Sequence, residues 1–256
     1  MTSFYGFPNA GEFWHWPTLV HFFLVALAGG SAFLAGLSAL EGERRAPRLA
    51  LFALGLILLD LFVLWAESPA RFRLTHLWLF LTFRPLSAIS WGSWGLALSL
   101  VLAALLALGR GPHRVVAGLL MATATVVLVY PGLLLAENPG RALWSDFLIA
   151  LMPITGLALA VGLGLLFLRG APARLARPVF LTAALAAALY PFGLYYSGAA
   201  AREALAGLGH EAGLFYLAGG LLLLLAGFTP RRPEFAGTLA ILGATVLRSL
   251  LVLLGQ

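Results

Sequence analysis

Apolar residues fill this chain in blocks of about twenty, and short clusters of Arg, Gly and Pro separate the blocks. Blocks of that length match the ~20 residues a helix needs to cross a hydrocarbon core of about 30 Å. Hydropathy and punctuation together predict eight transmembrane helices, at roughly 16–40, 48–66, 88–108, 114–135, 145–168, 174–196, 212–228 and 235–254. The connections EGERRAP, GRGPH, LRGAPARLARP and TPRRPE are short and basic. Those facing the other way, 67–87, 136–144 and 197–211, are longer and of mixed charge. The longest, ESPARFRLTHLWLFLTFRPLSAIS, holds an aromatic apolar stretch too short to cross, which reads as an interfacial helix. The N-terminus, MTSFYGFPNAGEFWHWP, has no basic region before its apolar run and reads as a mature end.

Composition agrees with the pattern. Of the 256 residues, 61% are hydrophobic and 10% charged, and the mean hydropathy is +0.97, far from a soluble domain. The fold class is therefore all-α, a polytopic integral membrane protein. With no Cys, disulfides, thiolate iron–sulfur ligation and cysteine nucleophiles are excluded within the chain. The net charge of +6 comes from arginines in short loops, not a basic stripe, so no nucleic acid partner is implied. Ten of the 16 basic residues lie on one side: Arg44, Arg45, Arg48, Arg110, Arg114, Arg169, Arg174, Arg177, Arg231 and Arg232. Arg71, Arg73, Arg84, Arg141 and Arg202 lie on the other, and Arg248 lies inside the last span. The richer side belongs in the cytoplasm, which leaves both termini extracytoplasmic. Trp14, Trp16, Trp78, Trp91, Trp94 and Trp144 fall near outer helix ends, as an interfacial belt would.

Two outer connections begin alike, AESPAR at 66–71 and AENPGR at 136–141. Ser-Pro or Asn-Pro stops the helix in each, and an Arg four residues after the Glu offsets a carboxylate poorly placed at a helix C-terminus. That explains Glu137 structurally. Glu67 is different, because Asp60 lies two turns before it on the same helix face. Ionisable groups inside spans are functional candidates because lipid burial costs several kcal/mol. At about 1.5 Å per residue, His21, Asp60 and Tyr130 all fall roughly 7–9 Å below the outer surface. Thr18 shares the His21 face. Carboxylate and imidazole chains make proton relays, and imidazole with phenol suits the two oxygens of a quinone.

A lone His or Tyr in a bundle is commonly a packing residue with one interhelical hydrogen bond, the reading preferred for Tyr190. Arg248 reads as the partner of a buried carboxylate or backbone carbonyl. His15, His76, His113 and His210 fall at helix ends or in loops. Pro131 and Pro191 lie inside helices, which membranes tolerate. Only His21 is well inside a span, so the paired axial ligands of a bilayer haem are missing and haem is not expected.

The segments EFWHWPTLVHFFLVALAGGSAFLAGL, LDLFVLWAESPARFRLTHLWLFLTFRPLSAISWGSWGL and YPGLLLAENPGRALW resemble the NrfD-type membrane subunits, the family of the polysulfide reductase membrane anchor. The likeness runs over the whole chain and is most specific from Leu59 to Gly95. It implies two four-helix bundles, 1–140 carrying a quinone site and 141–256 forming the second. It further implies a menaquinol-oxidising subunit of a molybdopterin oxidoreductase complex in a bacterial cytoplasmic membrane. Partners would be a four-cluster 4Fe-4S subunit and a molybdopterin catalytic subunit on the extracytoplasmic face; a dimer of complexes is left open. His21 and Tyr130 match the family's quinone-binding positions. Thr18 stands where an amide is expected, and its hydroxyl can still hydrogen-bond. Asp60 and Glu67 match polar positions of the second helix, as proton acceptors, with Arg71 following in the motif. No metal site is implied in this chain.

Two other readings compete. A secondary transporter or ion-translocating subunit would place its polar groups at the midplane and show inverted repeats. A purely structural anchor would use the polar layer only to hold the bundle together. An intramembrane hydrolase lacks a Ser–His pair or metal-ligand cluster within the spans.

Overall fold

The computed structural model describes residues 16–67, 82–111, 113–137, 141–167, 171–207, 209–229 and 231–254. The described residues form helices: α1 (Trp16–Leu40), α2 (Ala46–Glu67), α3 (Ala88–Ala107), α4 (His113–Ala136), α5 (Leu148–Phe167), α6 (Ala171–Tyr196), α7 (Ala199–Gly207), α8 (His210–Phe228) and α9 (Pro233–Leu254). All except α7 are long and apolar enough to cross a membrane, which makes the chain a multi-pass membrane protein. The expected interfacial helix of the 67–87 connection lies largely outside the described residues.

The glycine-arginine punctuation acts as helix stops. After α1, Gly42 has φ of 73° and the Glu43 N–H reaches the Ser38 carbonyl at 2.8 Å. After α3, Gly109 has φ of 63° and the Arg110 N–H reaches Leu105 O at 2.9 Å. Both are Schellman closures, which need a left-handed residue that glycine adopts without Cβ strain. Arg174 then clamps the first stop from α6, donating to Glu41 at 2.8 Å and Glu43 at 3.0 Å.

Contacts between helices close two rings. In one, α1 packs on α2 and α4, and α3 on both α2 and α4. In the other, α5 and α8 each pack on α6 and α9, while α1 and α4 join the rings through α5. Apolar side chains gain nothing by leaving lipid for each other, so close packing of small residues holds such helices together. Accordingly α1 buries Ala26, Ala28, Ala32, Ala35 and Ala39. On α9, a Cβ added to Gly237 would sit 2.6 Å from the Gly162 carbonyl oxygen, and one on Gly243 2.7 Å from Gly219 O. Gly237→Leu should therefore force α9 off α5, costing about 1–3 kcal/mol of overpacking. Thermal unfolding in detergent checks this, and an unchanged midpoint would contradict it.

Two local expectations are corrected, and one helix is added. Trp144 is not in the interfacial belt: it is buried, and its Nε1–H donates to Leu251 O at 3.0 Å, tying the α4–α5 connection to α9. The 197–211 connection holds a short helix that hydropathy did not place, because AAAREALAG forms α7. Ala, Leu, Glu and Arg are strong helix formers, and a helix of 9 residues is too short to cross. Finally, α5 begins at Leu148, after a turn in which Leu148 N–H bonds Ser145 O at 2.9 Å.

Candidate functional site

The three polar residues of the predicted layer meet. His21 on α1 lies between α2 and α4, the two helices α1 packs against within its ring. Its Nδ1 is 2.7 Å from Asp60 Oδ1, and its Nε2 hydrogen-bonds the Tyr130 hydroxyl. His21 is 5% exposed, Asp60 0% and Tyr130 4%. With Asp60 as the carboxylate, the arrangement has Nδ1–H donating to Asp60 and Nε2 accepting from the phenol O–H.

The pairing lowers a large cost. An isolated carboxylate buried at this depth would be expensive, and a second hydrogen-bonding group makes it tolerable. One atom stays outside the chain of bonds: Asp60 Oδ2 is buried with no hydrogen-bond partner among the described residues. Buried acceptors are ordinarily paired, so this oxygen is the one polar atom of the three residues that the described residues leave unsatisfied.

Tyr130 is aimed by its surroundings. It sits in the small cluster with Val25, Ala28, Ile57, Leu96 and Val127, immediately before Pro131 in α4. Gly92 on α3 makes room for the ring, since a Cβ there would lie 2.5 Å from Tyr130 Cδ2. Sequence reasoning missed Gly92, although its signal is visible as a glycine between the tryptophans of SWGSWG. One turn further along the same two helices lies an apolar cavity of about 330 Å³. Trp91, Trp94, Gly95, Thr123 and Val126 are among its lining residues. Trp94 Nε1 is buried there without a hydrogen-bond acceptor among the described residues.

Arg248 supports the site from behind. Its side chain is 1% exposed and donates to Met152 O at 2.7 Å, Thr155 Oγ1 at 3.2 Å and Phe22 O at 2.8 Å. Carbonyls, not a carboxylate, are thus its partners, and the Phe22 carbonyl belongs to the residue next to His21. Tyr190 donates its hydroxyl to Leu143 O, as a structural tyrosine would.

Thr18 is half-buried one turn before His21 on α1. Glu67 closes α2, but its side chain lies outside the described part of the structure, as does all of Arg71. The structure joins Asp60 to His21, and the expected ladder from Asp60 to Glu67 falls outside the described residues.

The family model described as polysulfide reductase, of the NrfD type, matches residues 1–256. The chain belongs to this family. No curated protein matches it. As an NrfD-type subunit it is a membrane component of an oxidoreductase, and the buried triad lies on α1, α2 and α4 of that subunit.

Proposed function

We propose that this chain is the quinone-binding anchor of a molybdopterin oxidoreductase complex, oxidising menaquinol and passing electrons to a partner iron–sulfur subunit. The observation that carries the reading is the Asp60–His21–Tyr130 chain of hydrogen bonds buried between three helices. In this reading residues 1–140 form a four-helix bundle with the site and 141–256 a second bundle. The arginine-rich connections face the cytoplasm and the termini face outward. The catalytic and iron–sulfur partners then rest on the outer connections.

The residues fit such a substrate. Tyr130 and His21 present a hydroxyl and an imidazole, each able to donate or accept, and Thr18 adds a hydroxyl on the same helix face. A bound quinol supplies two electrons and two protons. Tyr130 and His21 would hold its oxygens, and the neighbouring aromatic cavity offers room for apolar ring atoms. A proton reaches His21 Nε2 through the Tyr130 hydroxyl, which takes one from the quinol as it gives up its own, and the Nδ1 proton passes to Asp60. The second proton follows once Asp60 has passed on the first, so charge moves without the ring leaving its place. Asp60 Oδ2 is free to hand the proton onward. Glu67, two turns nearer the outer surface, is the next acceptor, and Arg71 steadies its charge.

Steady-state oxidation of a menaquinol analogue by the intact complex tests the reading. Tyr130→Phe keeps the ring against Gly92 and removes only the hydroxyl, so turnover should fall roughly a hundredfold with assembly unchanged. Wild-type turnover in that variant would remove Tyr130 from the site. If the complex holds no iron–sulfur subunit at all, the transporter reading gains instead.

A further inference from the structure

At the arginine-rich end of the chain, on the far side from α3, a cavity of about 430 Å³ opens between α6 and α8. Arg177, Arg231 and Arg232 line it together with Gly227, Phe228 and Thr229. The three guanidinium groups make no ion pair among the described residues. Arg174 nearby behaves differently, being held by Glu41 and Glu43. Glu234, the first acid after these arginines, does not line the cavity. Three unpaired guanidinium groups around one cavity form a site for an anion with several oxygens, and phosphate suits them because guanidinium binds its oxygens in pairs.

A second feature selects among phosphates. Beneath the cavity the same two helices line an apolar groove of about 540 Å³, from Leu181 to Phe192 on α6 and from Leu224 back to Tyr216 on α8. The groove begins where the cavity ends, because Leu181 packs against Gly227, where a Cβ would lie 2.6 Å from Leu181 Cδ2. The eleven helical steps from Leu181 to Phe192 span about 16 Å, close to the ~15 Å depth of one leaflet. Leu185, Leu221 and Phe192 are 58%, 56% and 64% exposed, so the groove opens toward lipid.

We propose that the α6–α8 cleft is a binding site for an anionic phospholipid. Its phosphate sits among Arg177, Arg231 and Arg232, and an acyl chain lies in the groove below. Basic pockets between transmembrane helices at the cytoplasmic surface are suited to anionic headgroups, each nearby Arg contributing about fivefold in affinity. The placement is remote from His21, Asp60 and Tyr130 and does not depend on the quinol reading.

Native mass spectrometry of the delipidated full-length chain, titrated with phosphatidylglycerol, phosphatidylcholine or inorganic phosphate, tests the proposal. Wild type should retain one phosphatidylglycerol in preference to phosphatidylcholine. Replacing the three arginines together (Arg177→Gln, Arg231→Gln, Arg232→Gln) should weaken that binding on the order of a hundredfold. Gly220→Trp fills the groove without touching the charge; a Cβ there lies 3.9 Å from its nearest neighbour, Ala187 Cβ, and the indole beyond it extends into the groove. It should also weaken the lipid while leaving the unfolding midpoint as in wild type. Undiminished phosphatidylglycerol binding by the triple variant would overturn the site. So would equal competition by inorganic phosphate together with normal binding by Gly220→Trp, which would mean that the arginines hold a free anion.

Discussion

Replacing His21 by Ala should lower quinol oxidation by the intact complex roughly a thousandfold, the size of lost general acid–base catalysis. The substitution does two things at once. It removes the group that bridges Tyr130 and Asp60. It also strips Asp60, which is 0% exposed, of its only described hydrogen-bond partner. A buried acceptor left unpaired costs about 1–3 kcal/mol, and a charged one more. The chain should therefore lose stability as well as turnover. Adding Asp60→Asn to His21→Ala should restore much of the stability, because the lone carboxylate is gone. It should not restore turnover, because the route for the proton is gone too. The two effects can be separated by the unfolding midpoint in detergent and by initial rates with a menaquinol analogue. Full activity in His21→Ala would exclude the relay.

The second large effect is structural and comes from Arg248. Its Nη1 and Nη2 atoms hold α5 through Met152 and Thr155 and hold α1 through Phe22. Arg248→Met leaves two backbone carbonyls and a hydroxyl facing a side chain that cannot donate. Breaking a buried charged hydrogen-bonding set of this kind costs about 3–5 kcal/mol. The unfolding midpoint should fall by on the order of 10 °C. Because Phe22 adjoins His21, the loosened turn of α1 should reduce quinol turnover as well. Arg248→Lys keeps the charge and one or two donors, so it should recover part of both. An Arg248→Met chain with wild-type melting would show that α9 does not depend on this anchor.

The depth of the site was readable from the chain before its geometry was. Counting helical rise from each span end put His21, Asp60 and Tyr130 in one layer, because rise per residue is nearly constant in a helix. Rise says nothing about which way a helix faces its neighbours. Spacing along α2 put Asp60 and Glu67 on one face, and the packing of α1 between α2 and α4 is what brings Asp60 to His21. Arg248 shows the same limit. A buried Arg announces a partner, but its acceptors are carbonyls of Met152 and Phe22, and any residue type supplies those. Trp144 was misplaced for the opposite reason. Tryptophan near a helix end suits an interface, and here a tertiary bond to Leu251 O outweighs that preference. The helix α7 hid in a connection whose charge drew more notice than its alanines. Gly92 carries no chemistry of its own, and its role appears only once the Tyr130 ring lies against it.

The central claim is that quinol binds at the Asp60–His21–Tyr130 chain. A photoreactive menaquinone analogue, cross-linked to the intact complex and mapped by peptide mass spectrometry, tests it most directly. Labelling should fall on α1 near His21, or on α3 and α4 around Gly92 and Tyr130, and excess unlabelled menaquinone should suppress it. Labelling confined to residues 141–256, or label around Tyr130 that menaquinone does not displace, would contradict the account.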